Sequence, residues 1–429
     1  MIRRTNLRPR VATGADRSGD RRLLPGRRPG DVGLLGAAYG LSAGGDLLAL
    51  VALLLRFHDQ RSSGAAVACL FVAQLGPVIV LAPAAGLLLD RVETTRLLAA
   101  TSAVQAIAAT ALAMVTRLEL TLVLVVVLGV GKAISDPGLL ALVPAAAGEQ
   151  KADRAYGNVQ AAQAVARALA PACAGLLVAQ GGAGAALAVD GVTFGAVALA
   201  CLLLKTRRRP TQVPDARRAH LADGFRIIKG NTLVLAATVI VSLVFLAGVL
   251  VNVASVFFVR DVLQVGPVGF GVLEGAWPTA AAIAGRAVGS RRIVGLQPRL
   301  IAVGALGIGV GLAAPALFPR LGVTLAGFVV AGAGNSVIVV ALRSLVRAQI
   351  SAGQRGQAFA IVGAGVNLAT VSGTVIGGAS IEAVGARGAF LAAGIGALAV
   401  GAAAVALAVV PSEVVPGGRR IPTRGPASK

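Results

Sequence analysis

The sequence predicts an all-α polytopic membrane protein with twelve transmembrane helices in two parallel six-helix repeats. Three observations carry that expectation. The 429 residues are 56% hydrophobic and only 14% charged, against about 25% charged in soluble domains, and the mean hydropathy is +0.82. Apolar runs long enough to cross a bilayer, which takes about 20 residues each, fall at about 32–55, 65–89, 97–116, 120–145, 157–180, 183–204, 232–259, 268–288, 297–316, 322–342, 358–381 and 388–410. The basic residues between these runs fall overwhelmingly on alternate breaks.

The elements follow in order from those breaks. Residues 1–31 form a basic tail with nine arginines between Arg3 and Arg28. The run after it is too long for a cleavable signal and has no small-residue cleavage site. The first six spans form a bundle over 32–204, broken at Arg56 and Arg61, at Arg91 and Arg96, at Arg117, at Lys151 and Arg154, and by a tight turn at Gly181-Gly182. A cytoplasmic linker at 205–231 carries Lys205, Arg207, Arg208, Arg209, Pro210 and Pro214. The second bundle, 232–410, is broken at Arg260, at Arg291, Arg292 and Arg299, at Arg320, at Arg343, Arg347 and Arg355, and at Arg387, and a polar tail follows at 411–429. Strands are excluded because the runs do not alternate apolar and polar residues.

Placing the N-terminal tail on one face puts 31 Lys and Arg there and six on the other, with Lys132, Arg167 and Arg286 inside spans. The positive-inside rule then sets both termini in the cytoplasm. It also accounts for the net charge of +22 without nucleic acid. Arg far outnumbers Lys, and Ala, Gly and Val dominate, which points to a GC-rich bacterial genome and a multi-pass protein of the plasma (inner) membrane. Composition excludes a disordered chain and disfavours a soluble enzyme. Cys69, Cys173 and Cys201 each lie in an apolar run, which excludes a disulfide framework. Gly131-Lys132 is not a phosphate loop, since Val126 and Ala133 stand where Gly and Ser or Thr are needed. No nucleotide, cofactor or metal site is expected. His58 and His220 are expected outside the spans, isolated and solvated.

The halves align at an offset near 201, which places Arg91 on Arg292 and Arg154 on Arg355. Two six-helix halves in the same orientation form a parallel repeat about an axis along the membrane normal. The loop Gly86-Leu-Leu-Leu-Asp90-Arg91-Val-Glu93-Thr-Thr-Arg96 resembles the signature loop of the major facilitator superfamily, and Arg355-Gly356 resembles that family's pattern before helix 11. Gly86 permits close helix approach, and Asp90 offers a carboxylate to the positive end of a helix dipole across the interface. The resemblance implies a gate latch of Gly86, Asp90, Arg91, Arg96, Arg355 and Gly356, made facing outward and broken facing inward.

Arg167-Ala-Leu-Ala-Pro171-Ala-Cys-Ala-Gly175 resembles the Gly-Pro-x-x-Gly-Gly motif linked with antiporters, with Ala at two Gly positions. Small residues there allow tight packing, and Pro171 can kink the helix beside Gly175. The stretch from Pro144 to Gly175, Gly45-Asp46, Leu221-Ala-Asp-Gly224 and Asp190 are similar to an enterobactin-exporter-like, multidrug efflux subgroup.

Charges inside the bilayer are costly and are functional candidates by default. Asp46 sits near the midplane of span 1 and is the expected proton site, with Arg167 of span 5 as its expected partner. Lys132 and Asp136, spaced i, i+4, share a helix face and form either a self-contained ion pair or a substrate or proton site. Glu274 lies about 9 Å inside span 8 by helical rise and suits a cationic substrate or a proton. Asp190 reads as a structural hydrogen-bonding residue. Trp277 is the sole Trp, so an aromatic cage is not expected. Gly285-x-x-x-Gly289 and Gly373-x-x-x-Gly377 favour close-packed, sliding helices.

The expected function is non-enzymatic: proton-coupled efflux of a small amphipathic drug or metabolite by a monomer in the lipid bilayer. An importer of a small nutrient on the same fold, and a non-transporting membrane scaffold or sensor, are the alternatives. Both tails are short and polar, which disfavours the latter.

Overall fold

The structure, a computed structural model, describes residues 29–148, 151–206, 221–291, 293 and 295–409. The tail arginines, most of the linker, His220 and Arg292 lie outside the described residues. The chain forms α1 (Pro29–Asp59), α2 (Gly64–Arg91), α3 (Thr94–Met114), α4 (Leu118–Ala147), α5 (Ala152–Leu203), a short α6 (Leu221–Lys229), α7 (Thr232–Phe257), α8 (Pro267–Gly289), α9 (Gln297–Leu317), α10 (Leu321–Gln349) and α11 (Arg355–Val409). Among the described residues there is no strand. A π-helical turn, Phe258–Val262, extends α7.

Local chemistry sets the ends. Ser63 caps α2 by accepting from the Ala66 amide at 3.2 Å, and Asn231 caps α7 by accepting from Val234 at 3.0 Å. Such caps satisfy otherwise orphaned amides. α8 and α9 open with proline, whose missing N–H costs nothing there. Asp31, in the first turn of α1, accepts from the Thr206 amide at 2.8 Å and the Thr206 hydroxyl at 2.6 Å. That contact ties the start of the first bundle to its end.

Nine helices among the described residues are long and apolar enough to cross a membrane. Two of them fold back on themselves. Gly44 of α1 packs against Ala166, and the adjacent Gly45 packs against Asp190. In a straight helix Ala166 and Asp190 would lie about 36 Å apart, so α5 must reverse between them. It does so at Gly182, with φ 71° and ψ 174°, a conformation that glycine alone adopts freely. The tight turn read from Gly181-Gly182 falls at this point. Gly385 has φ 69° and ψ 171°. The first arm of α11 runs along α7, with Gly365 beside Ser242 and Gly377 beside Leu250. The second runs back along α9, with Gly394 beside Ala313 and Gly401 beside Leu306. These two reversals, with α8, are consistent with the twelve spans of the sequence.

The outer surface is apolar. Val80, Ile107, Met114, Val192, Ile283 and Leu368 are all largely exposed, as lipid contact requires and water would not favour. Arg56, counted above as a loop residue, lies buried in the last turn of α1. It donates to the carbonyls of Leu112 and Val115 at 2.8 and 2.9 Å, satisfying orphan acceptors at the end of α3.

Candidate functional site

A cavity of about 340 Å³ lies between the two halves. Asp46, Gln74, Lys132 and Arg167 line it from the first half, and Asn252, Ser255, Glu274 and Trp277 from the second. Its remaining walls are mostly apolar, including Leu50, Phe71 and Phe328. The mixture of an apolar lining with a few convergent polar groups is that of a small-molecule site.

The charges fall into two groups. Lys132 of α4 forms a hydrogen-bonded ion pair with Asp46 of α1, and its ammonium lies 3.7 Å from Asp136. This corrects two expectations. Asp46 is partnered by Lys132 and not by Arg167, and the Lys132–Asp136 pair is not self-contained. α4 and the first arm of α5 both pack on α1, and it is the Lys132 ammonium whose direction brings it to carboxylates on both α1 and α4. A void of about 20 Å³, room for one water, adjoins Asp46, Lys132 and Asp190.

Asp190 is buried, accepts from Thr193 at 3.2 Å, and leaves Oδ2 without a hydrogen-bond partner. Gly45 makes room for it, because a Cβ at that position would collide with both Asp190 and Thr193. The contact with Thr193 agrees with the reading of Asp190 as a structural hydrogen-bonding residue.

Arg167 and Glu274 form the second group. Among the described residues Arg167 makes no hydrogen bond or ion pair, and Glu274 Oε1 is buried without a hydrogen-bond partner. Both stand on the seam where α5 meets α8. Gly175 packs on the Pro267 carbonyl, Gly271 packs on the Pro171 carbonyl, and a Cβ at Gly275 would lie 3.1 Å from the Ala168 carbonyl. Pro171 and Gly175 therefore build a close interface between the halves, and the non-helical position inside α5 is Gly182.

The halves meet on the face opposite the termini, here called distal. His58 Nε2 lies 2.7 Å from Asp261 Oδ1, and Arg260 donates to Asp59 at 3.4 Å. His58 was expected to be isolated and solvated. It lies instead in the last turn of α1, with its side chain 17% exposed. Its ring also meets Phe257 edge-on at 6.0 Å. Close by, a Cβ at Gly64 of α2 would come within 2.7 Å of the Gly378 carbonyl of α11.

The terminal face is looser. Among the described residues nothing lies within 4 Å of a Cβ built at Gly86 or Gly356, so no close approach at Gly86 is seen there. Arg96 pairs with Glu93 at 3.1 Å. Arg355 donates to the carbonyls of Ile350 and Arg347 at 3.0 and 2.9 Å. The contacts between His58, Asp59, Arg260 and Asp261 join the halves at the distal end of the cavity.

The family profile described as Major Facilitator Superfamily matches residues 34–298 and 290–428. Macrolide efflux protein A of Streptococcus pyogenes is 22% identical over 360 residues, covering 81% of this chain and 88% of that protein. Among solved structures, a bacterial homologue of the human lysosomal transporter Spinster, inward-facing and unoccupied, superposes with a TM-score of 0.73 at 15% identity, covering 90% of this chain and 97% of that one. The nucleoside transporter NupG gives a TM-score of 0.73 at 12% identity, covering 88% and 98%. At these identities the structural likenesses establish the fold alone.

Proposed function

Because the chain belongs to the major facilitator superfamily, and is therefore a membrane transporter and not an enzyme, we propose that it exports a small amphipathic molecule from a bacterial cell in exchange for protons. In this reading both termini are cytoplasmic, the distal face is extracellular, and the cavity loads from the cytoplasm. The observation that carries it is the Asp46–Lys132–Asp136 cluster in the wall of a cavity between two halves. A carboxylate held by one ammonium on a neighbouring helix exchanges a proton for that ammonium when the helices shift. That couples protonation to alternating access. Asp46 is the proton site, Lys132 its counter-ion, and Asp136 the second acceptor. The relationship to Macrolide efflux protein A supports export over import. A scaffold or sensor has no evident use for a charged, inter-half cavity.

The test uses everted membrane vesicles with an acid interior, a fluorescent reporter of that gradient, and a panel of macrolides and lipophilic dyes. An exporter accumulates substrate inside and releases protons on its addition. Both effects should disappear in Asp46→Asn with insertion unchanged. Proton release that persists in the variant refutes the Asp46 assignment, and accumulation only in right-side-out vesicles establishes the importer.

A further inference from the structure

Two further ionisable side chains line the cavity, and they have opposite signs. Lys132 pairs with Asp46 and lies 3.7 Å from Asp136, one ammonium for two carboxylates. Glu274 Oε1 is buried without a hydrogen-bond partner, and Arg167, on the wall of the same cavity, makes no hydrogen bond or ion pair among the described residues. The two occupy opposite halves and flank a single contact. Ala168 follows Arg167, Gly275 follows Glu274, and a Cβ at Gly275 would stand 3.1 Å from the Ala168 carbonyl. They therefore lie at one depth on adjoining helices, yet they do not pair.

A charge without a hydrogen-bonded partner inside a membrane protein is costly, and a side chain of the opposite sign stands on the next helix. An arrangement that keeps the two apart, both facing one space, offers a ligand one site of each charge. We propose that the substrate is amphoteric: an ammonium against Glu274 and an acidic group against Arg167, with an apolar body between them. Arg167 presents a planar fork suited to a carboxylate. The ammonium meets the Glu274 carboxylate, which lines the cavity. The body rests against Trp277 and Phe328, which line the cavity. Because the ligand touches α5 of one half and α8 of the other, its binding favours conformations that keep this seam closed. The inference rests on the transport reading of the cavity and adds the charge pattern of what is carried.

The test is thermal stabilisation of the purified full-length protein by two amphoteric probes, the dipeptide Phe-Phe and norfloxacin. Each is compared with its esterified, purely cationic form and its N-acetylated, purely anionic form. Stabilisation grows with ligand concentration over dissociation constant, so the series ranks affinities. The expected result is that at least one amphoteric parent binds tenfold or more tightly than both of its single-charge forms. Glu274→Gln should lower that parent to the affinity of the N-acetyl form, and Arg167→Gln to that of the ester. Retention of the single-charge affinity in each variant shows that the variant is folded. An ester that binds as tightly as its parent, variants that bind the parent unchanged, or a wild type stabilised by neither parent would each overturn the proposal. No proton gradient is present in this measurement, so failure of the Asp46 coupling test leaves it standing, and the reverse also holds.

Discussion

The distal latch yields a prediction whose size follows from its exposure. His58 and Asp261 are 17% and 58% exposed, and Arg260 and Asp59 are 22% and 56% exposed. Half-solvated pairs of this kind contribute about 0.2–1 kcal/mol each. His58→Ala removes the cross-half hydrogen bond to Asp261 and should weaken distal closure by up to about 1 kcal/mol, at most a roughly fivefold fall in the closed-to-open ratio. Adding Arg260→Ala should bring the loss to at most about 2 kcal/mol, or roughly thirtyfold. The assay is electron–electron distance measurement between spin labels at Ser62→Cys and Val262→Cys, with the three native cysteines replaced. Wild type should give a dominant short distance, and the variants should add a longer one in that order. Raising salt to about 1 M, where the screening length is near 3 Å, should move wild type part of the way toward His58→Ala. Identical distance distributions in all three proteins would show that the α5–α8 and α2–α11 seams close the distal face without the ion pairs.

Two further outcomes follow from the first-half cluster. Lys132→Met strands Asp46, which is 17% exposed, and should destabilise the protein by about 3–5 kcal/mol. Adding Asp46→Asn should restore most of that melting temperature in detergent without restoring transport, because the cost is the unpaired charge and not the lost contact. Gly45→Ala puts a Cβ into Asp190 and Thr193 and should cost about 1–3 kcal/mol by overpacking. A double-mutant cycle with Asp190→Ala should show a coupling of the relieving sign, and simple additivity would refute the clash.

The helices were legible because apolarity, length and the alternation of basic breaks are properties of each segment alone. The turn at Gly182 was legible for the same reason. Partners across helices were not. The spacing of Lys132 and Asp136 reveals their shared face, but nothing in it says that Asp46, on α1, comes within reach of the same ammonium. Depth by helical rise suggested Arg167 for that place, and depth cannot distinguish neighbours around a bundle. Both α4 and α5 pack on α1, and only the direction in which each side chain leaves its helix decides for Lys132. His58 read as a loop residue because polar residues surround it, whereas α1 runs on to Asp59 and carries the ring into the interface.

One cross-half contact was nevertheless within reach of the sequence. In a parallel repeat, positions related by the pseudo-two-fold axis meet each other when they lie close to it, as residues do at a two-fold dimer interface. The offset near 201 that aligned the arginines carries Asp59 onto Arg260. Those residues are separated by 201 positions and do pair, while His58 and Asp261 are separated by 203. The same operation exchanges the seams: the first arm of α5 against α8 becomes the first arm of α11 against α2. Both seams use the same device, a glycine against a facing carbonyl, at Gly175 on Pro267 and at Gly64 on Gly378. The repeat therefore encodes the distal closure twice over. What breaks the symmetry is the cavity below it. The first half supplies the Asp46–Lys132–Asp136 cluster and Arg167 and the second supplies Glu274, so the two related halves present different charges to one cavity.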